Sequence, residues 1–301
     1  MSDSNQSPAQ LLNLRHIIGV LLIALTAFWL AGCSAIQFGY QQAPVMGYWW
    51  LDSYLDFNDA QSQTVRQELA SLQAWHRQSE LPIYARTLGR LQGMAPHDTT
   101  AEQVCGLYAE FKGRFQAILD QLEPAVSAMA PALNPSQLDH LARQLDKRSQ
   151  KWREEWLELT AAQRHAKRVL QTTERAEMLY GTLQEPQLAV LRSGLSAFPM
   201  DVNLSYGESQ RRHQDFVQTL RQLQGSRPGA PAVQSAMRGL LERSLESPDP
   251  VYRDYMQKMT QSQCRTFAAL HNSSTPAQRR RLLETFRDYQ SDVRALMLPG
   301  R

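Results

Sequence analysis

Cysteine is almost missing from this sequence. Cys33, Cys105 and Cys264 are the whole complement, too few for a CxxC-type metal framework or a disulfide-dense scaffold. Charge of one sign is missing too. Thirty-two Lys and Arg against 29 Asp and Glu leave a formal +3, which argues against an obligate polyanion partner. Period-two runs rich in Val, Ile and Thr do not occur, so no strand is expected. HExxH, GxSxG, SxxK with its supporting motifs and glycine-rich phosphate loops are all absent. The seven histidines (His16, His76, His97, His140, His165, His213 and His271) never fall at metal-ligand spacing. Acid pairs such as Glu154-Glu155 point in different directions on a helix and suit solvent. The expectation is a protein that is not an enzyme, with no catalytic residue, metal or cofactor. A site assembled from scattered residues is the rival expectation.

What is present begins at the amino terminus. Residues 1–16 are polar and end in Arg15-His16, and an uncharged apolar run follows from Ile17 to Leu30. At about 14 residues it fits a signal-peptide core and falls short of the roughly 20 that a spanning helix needs. The run stops at Leu30-Ala31-Gly32-Cys33, which resembles the lipobox of bacterial lipoproteins. That resemblance implies cleavage of a signal peptide, residues 1–32, and lipid on the Cys33 thiol and freed amine. Several acyl chains at ~0.8 kcal/mol per buried methylene make a durable anchor. With Ser34 rather than aspartate next, it also implies the outer membrane, facing the periplasm. Nucleic acid is then excluded by compartment. Residues 33–47, with Gly39, Pro44 and Gly47, show little periodicity and read as a tether of at most roughly 50 Å.

Residues 48–301 read as one all-α domain, a single array of roughly nine or ten helices. The clearest apolar stripe is Leu138, Leu141, Leu145, Trp152, Trp156 and Leu159, with a gap at Arg148. Helix starts share one pattern: Asn58…Gln61, Thr100…Gln103, Asn134…Gln137, Thr160…Gln163 and Thr275…Gln278, with a looser version at Gln184…Gln187. A short polar N-cap accepts from the first free amides, and the glutamine three residues on reaches back. The irregular spacing marks reused caps rather than a solenoid repeat. Breakers fall near Gly93–Pro96, Pro131, Pro199, Gly225–Pro231 and Ser247–Pro250, and Gly225–Pro231 is the candidate flexible loop.

With Cys33 consumed by lipid, Cys105 and Cys264 are left in an oxidising compartment and are expected to pair, closing a loop of about 160 residues. The cluster Tyr48-Trp49-Trp50 either rests at the membrane interface, where indoles are favoured, or gives an indole to the core. Arg279-Arg280-Arg281, Arg211-Arg212 and Lys167-Arg168 either touch lipid phosphates or line solvated helix faces.

Two wider resemblances complete the reading. Tyr48-Trp49-Trp50-Leu51-Asp52, Asp56–Gln61, Ala74-Trp75-His76, Leu81-Pro82-x-Tyr84, Glu174–Gly181 and Thr275–Arg279 together resemble a family of uncharacterised proteobacterial lipoproteins. This implies an all-helical, periplasm-facing lipoprotein and brings no established activity. Leu159-Thr160-Ala161-Ala162-Gln163, with Leu133–Gln137 as a variant, is similar to the LTxxQ motif of small periplasmic stress chaperones of the Spy and CpxP type. The expected function is non-enzymatic binding, chaperone-like or otherwise. The membrane is a partner through the amino-terminal lipid, with an envelope protein or a lipid headgroup as ligand. A structural subunit of an envelope assembly is a further alternative.

Overall fold

The computed structural model describes residues 36–298. The signal-peptide reading and Cys33 lie outside the described residues. Within them are eleven α-helices and no strand, one or two helices more than the sequence suggests. The first is α1 (36–55), and its first twelve residues occupy what reads as an irregular tether. Gly39, Pro44 and Gly47 hide its pattern, and contacts with the rest of the fold supply what propensity does not. Pro44 has no amide hydrogen to offer the Tyr40 carbonyl. Gln73 Nε2 donates to that carbonyl instead, at 2.5 Å. At the other end Asp56 adopts a left-handed backbone, φ 49°, and the Asp52 carboxylate caps the Phe57 amide.

The chain continues through α2 (Asp59–Ser79), α3 (Leu81–Met94), α4 (Ala101–Met129) and a 3₁₀ turn at Ala130–Ala132. Next come α5 (Pro135–Trp152) and α6 (Ala161–Tyr180). The stripe from Leu138 to Leu159 is not one helix, because the backbone widens into a π turn at Arg153–Leu157 before the Thr160 cap. Then follow α7 (Glu185–Ala197), α8 (Val202–Ser226), α9 (Ala230–Leu245), α10 (Pro250–Asn272) and α11 (Pro276–Met297). The expected flexible loop shrinks to residues 227–229. Helix α8 runs through Gly225 and ends on Arg227, left-handed at φ 43°, whose amide returns to the Leu223 carbonyl.

In all six helix starts the glutamine returns to the N-cap amide. Four of the six do more, because they meet in pairs. Gln137 Nε2 donates to Gln61 Oε1 at 2.7 Å and Gln61 Nε2 donates back at 3.3 Å. Each also donates to the carbonyl two residues before the other's N-cap, Ala132 and Asp56. Gln187 and Gln278 repeat the arrangement at 2.6 and 2.9 Å, with Ser273 and Thr182 as the carbonyls. All four amides are buried, and each uses both donors and both acceptor positions.

Each pair closes one of two apolar cores. The first gathers Leu138, Leu141, Leu220, Leu223, Met237 and Leu240 from α5, α8 and α9. The second gathers Ala176, Tyr180, Leu183, Leu191, Leu270 and Leu282 from α6, the turn after it, α7, α10 and α11. Helix α4, about 44 Å long at 1.5 Å per residue, packs on α10 and on α9 and so runs along both. Cys105 near its start is bonded to Cys264 of α10, with Cα atoms 5.5 Å apart.

Candidate functional site

Helix α1 has two unlike faces. Inward, Tyr40 Oη meets His76 Nδ1 at 3.1 Å, and Tyr48 Oη meets Ser62 Oγ at 2.9 Å beneath the Arg66 guanidinium. Gln37 donates to the buried Asp292 of α11 at 3.2 Å. Outward lie Phe38, Val45, Met46, Trp49 and Trp50, all exposed. No charged residue occurs between Ile36 and Leu51. The core reading of an indole does not hold: Trp49 is 60% exposed and Trp50 57%, whereas Tyr48 is 5% exposed. The Tyr48 hydroxyl finds a partner in Ser62, which satisfies its burial.

A cavity of about 490 Å³ opens between α4, α6, α7 and α10, beside Cys264. Leu179, Leu191, Leu195, Met259, Phe267 and Leu270 make its walls. Its charged lining residues are Arg168 and Arg175, and no acid lines it. Arg168 is half-buried and points its guanidinium at the Leu195 and Phe198 carbonyls, at 3.4 and 3.3 Å, where α7 ends. Burial pushes its pKa down. Neither arginine has a carboxylate within 4.0 Å among the described residues. The π turn carries Trp156 into the rim, with the Lys167 ammonium 4.5 Å from its ring. Tyr108 at the mouth begins an exposed aromatic row on α4 that continues through Phe111 and Phe115 at helical spacing.

A second cavity, about 530 Å³, lies at the end of α1 among Trp50, Tyr54, Arg148, Arg212, His213 and Tyr252. Its charges are largely answered within the protein. Buried Glu208 accepts from Arg211, Arg212 and Ser247, and Arg148 donates to Tyr54 Oη. Burial, then the Arg148 charge, lowers the His213 pKa. At the junction of α2 and α3, Glu80 is buried with Arg114 3.6 Å from one carboxylate oxygen and no hydrogen-bond partner on the other. Among the described residues no three His, Cys, Asp or Glu side chains gather as a metal site.

The basic clusters divide. Arg279 is spent on Asp98 and the Pro96 carbonyl, Arg211 and Arg212 on Glu208, and Lys167 on Glu155. Arg168 alone of these residues lines the apolar cavity. Its companion Arg175 and the α4 aromatic row are not apparent in the sequence, because residues from four helices must come together to make them meaningful.

A family of unknown function, DUF6279, matches residues 53–253, about two thirds of the chain. The chain belongs to that family. The match takes in the Gln61–Gln137 pair, Cys105, Arg168 and Arg175, and stops short of Cys264 and of most of α1. No curated protein and no solved structure matches the chain.

Proposed function

We propose that this member of the family is a lipid-anchored, periplasm-facing binding protein of the cell envelope that works without catalysis. The outward face of α1 carries the reading. The lipobox-like sequence ends at Cys33, and only Ser34 and Ala35 separate it from Ile36, at most about 10 Å of chain. A helix about 30 Å long then presents Phe38, Val45, Met46, Trp49 and Trp50 with no charge among them. That is the composition of a segment lying in the membrane interface, where indole rings are favoured. Arg66 of α2, exposed and stacked on the Tyr48 ring, lies 5.6 Å from the Trp49 ring at the edge of this face. The binding half of the reading draws on the apolar cavity and the α4 aromatics, an exposed apolar surface of the kind that meets ligands or clients.

Tryptophan quenching by brominated phospholipid tests the seat. In full-chain protein reconstituted in vesicles, quenching is expected, and it is expected to drop sharply in the Trp49→Phe/Trp50→Phe double variant. Quenching equal in both proteins, with attachment retained, would overturn an interfacial α1.

A further inference from the structure

We propose that the cavity between α4, α6, α7 and α10 binds a single-chain anionic amphiphile, its acyl chain among the apolar walls and its carboxylate or phosphate on Arg168 and Arg175. The walls come first. Leu179, Leu191, Leu195, Met259 and Phe267 line about 490 Å³, within the range of ligand pockets. These side chains offer a chain of methylenes dispersion contacts and removal from water, and no hydrogen bond.

The charge is the second observation, independent of shape. Three acids of this protein are answered by arginines: Glu123 holds Arg238, Glu208 holds Arg211 and Arg212, and Asp215 holds Arg243. The cavity holds two guanidiniums, half-buried Arg168 and exposed Arg175, and no acid in its lining. Arg168 spends its bonds on the carbonyls of Leu195 and Phe198, which satisfy donors and leave the positive charge uncompensated. A half-buried charge without a counter-charge carries a desolvation cost, and an anionic group arriving at the rim offsets that cost at Arg168. Two forked donors in one lining, two turns apart on α6, suit the oxygens of a carboxylate or phosphate.

Access is the third. Tyr108 at the mouth is continuous with exposed Phe111 and Phe115 along α4, an apolar track on which a chain can lie as it enters. A neutral chain such as an alcohol or an uncharged apolar peptide segment would use the walls and leave the arginines unanswered. The anionic headgroup is therefore the discriminating feature.

The inference rests on the binding reading and not on the membrane seat of α1, and the experiment separates them. Full-chain protein in neutral phosphatidylcholine vesicles is exposed to three diazirine-bearing probes: a palmitate, a lysophosphatidylglycerol and a hexadecanol. Crosslinked peptides are then mapped by mass spectrometry. The two anionic probes are expected to label α6, α7 and α10 about tenfold more than the alcohol, the worth of one charge-assisted hydrogen bond. Whichever anionic probe labels more strongly names the source, free fatty acid or lipid headgroup. Arg168→Gln/Arg175→Gln should bring both anionic probes down to the alcohol's level, and Arg168→Lys should keep part of the preference. Leu179→Trp, which fills the cavity without touching either charge, should abolish labelling by all three. Equal labelling by the alcohol, or labelling confined to α1, overturns the proposal even where the protein stays on the vesicles. Cavity labelling by anionic probes supports it even where α1 shows no quenching.

Discussion

Gln187 and Gln278, 91 residues apart, donate their side-chain amides to each other's oxygens while each also closes its own helix cap. Neither amide has a spare hydrogen-bonding position, so the pair locks two helix starts and a turn in one step. Gln278→Glu replaces both donors with acceptors, facing Gln187 Oε1 and the Thr182 carbonyl. The variant should lose about 1–3 kcal/mol, the range for leaving a buried polar group unsatisfied. Urea unfolding of Gln278→Glu, Gln187→Glu and the double variant measures it. Clearly non-additive losses are expected, as for any contacting pair. Additive losses, or none, would remove the pair from its structural role.

The Cys105–Cys264 bond ties α4 to α10 across 159 residues. By chain entropy it stabilises by up to about 5 kcal/mol. Cys105→Ser and Cys264→Ser should cost similar amounts, and the double variant little more than either. Thermal unfolding with and without reductant reads this directly, and reductant should leave the variants unmoved.

Acid should weaken the fold through its buried imidazoles. His271 Nε2 donates to the His97 carbonyl at 2.7 Å, and in the neutral ring that burial favours Nδ1 accepts from Tyr180 Oη at 2.9 Å. Burial holds its pKa below the usual 6.5, and burial likewise lowers those of His76 and His213. The unfolded chain takes up protons near pH 6.5 that the folded chain still refuses. The stability these rings provide is therefore whole above about 6.5 and lost as pH falls below it. Urea midpoints should be lower at pH 5.5 than at 7.5, with a smaller difference in His271→Gln. An identical pH dependence in that variant would count against His271.

Lipid on Cys33 is the prediction drawn from sequence alone. Mass spectrometry of protein extracted from membranes should find the mature amino terminus at an acylated Cys33. A Cys33→Ala protein that is processed as before and held as tightly would refute it.

Much of this fold was legible, for a local reason. A capping box is written in four consecutive residues, and all six glutamines return to their N-cap amides. That Gln61 meets Gln137 and Gln187 meets Gln278, while Gln103 and Gln163 stay exposed, depends on separations of 76 and 91 residues that no local pattern records. The Leu159–Gln163 motif proves to be an exposed cap. Helix 36–47 was hidden because Gly39, Pro44 and Gly47 are poor helix residues, and Gln73 supplies from another helix the bond that Pro44 withholds. The disulfide was expected from three thiols, with Cys33 assigned to lipid and the remaining two to an oxidising compartment. The cavity was invisible because its walls come from α4, α6, α7 and α10, and a lone arginine on a helix reads as a solvated one.

The order in which the chain visits its two cores has a consequence for dissection. After α4 it enters the first core with α5, crosses to the second with α6 and α7, returns with α8 and α9, and crosses again with α10 and α11. Neither core is a contiguous stretch of sequence, so no terminal truncation removes one and spares the other. A single protease cut at residues 227–229, the short break between α8 and α9, should leave two fragments that cling together, since each carries part of both cores and the disulfide joins them covalently.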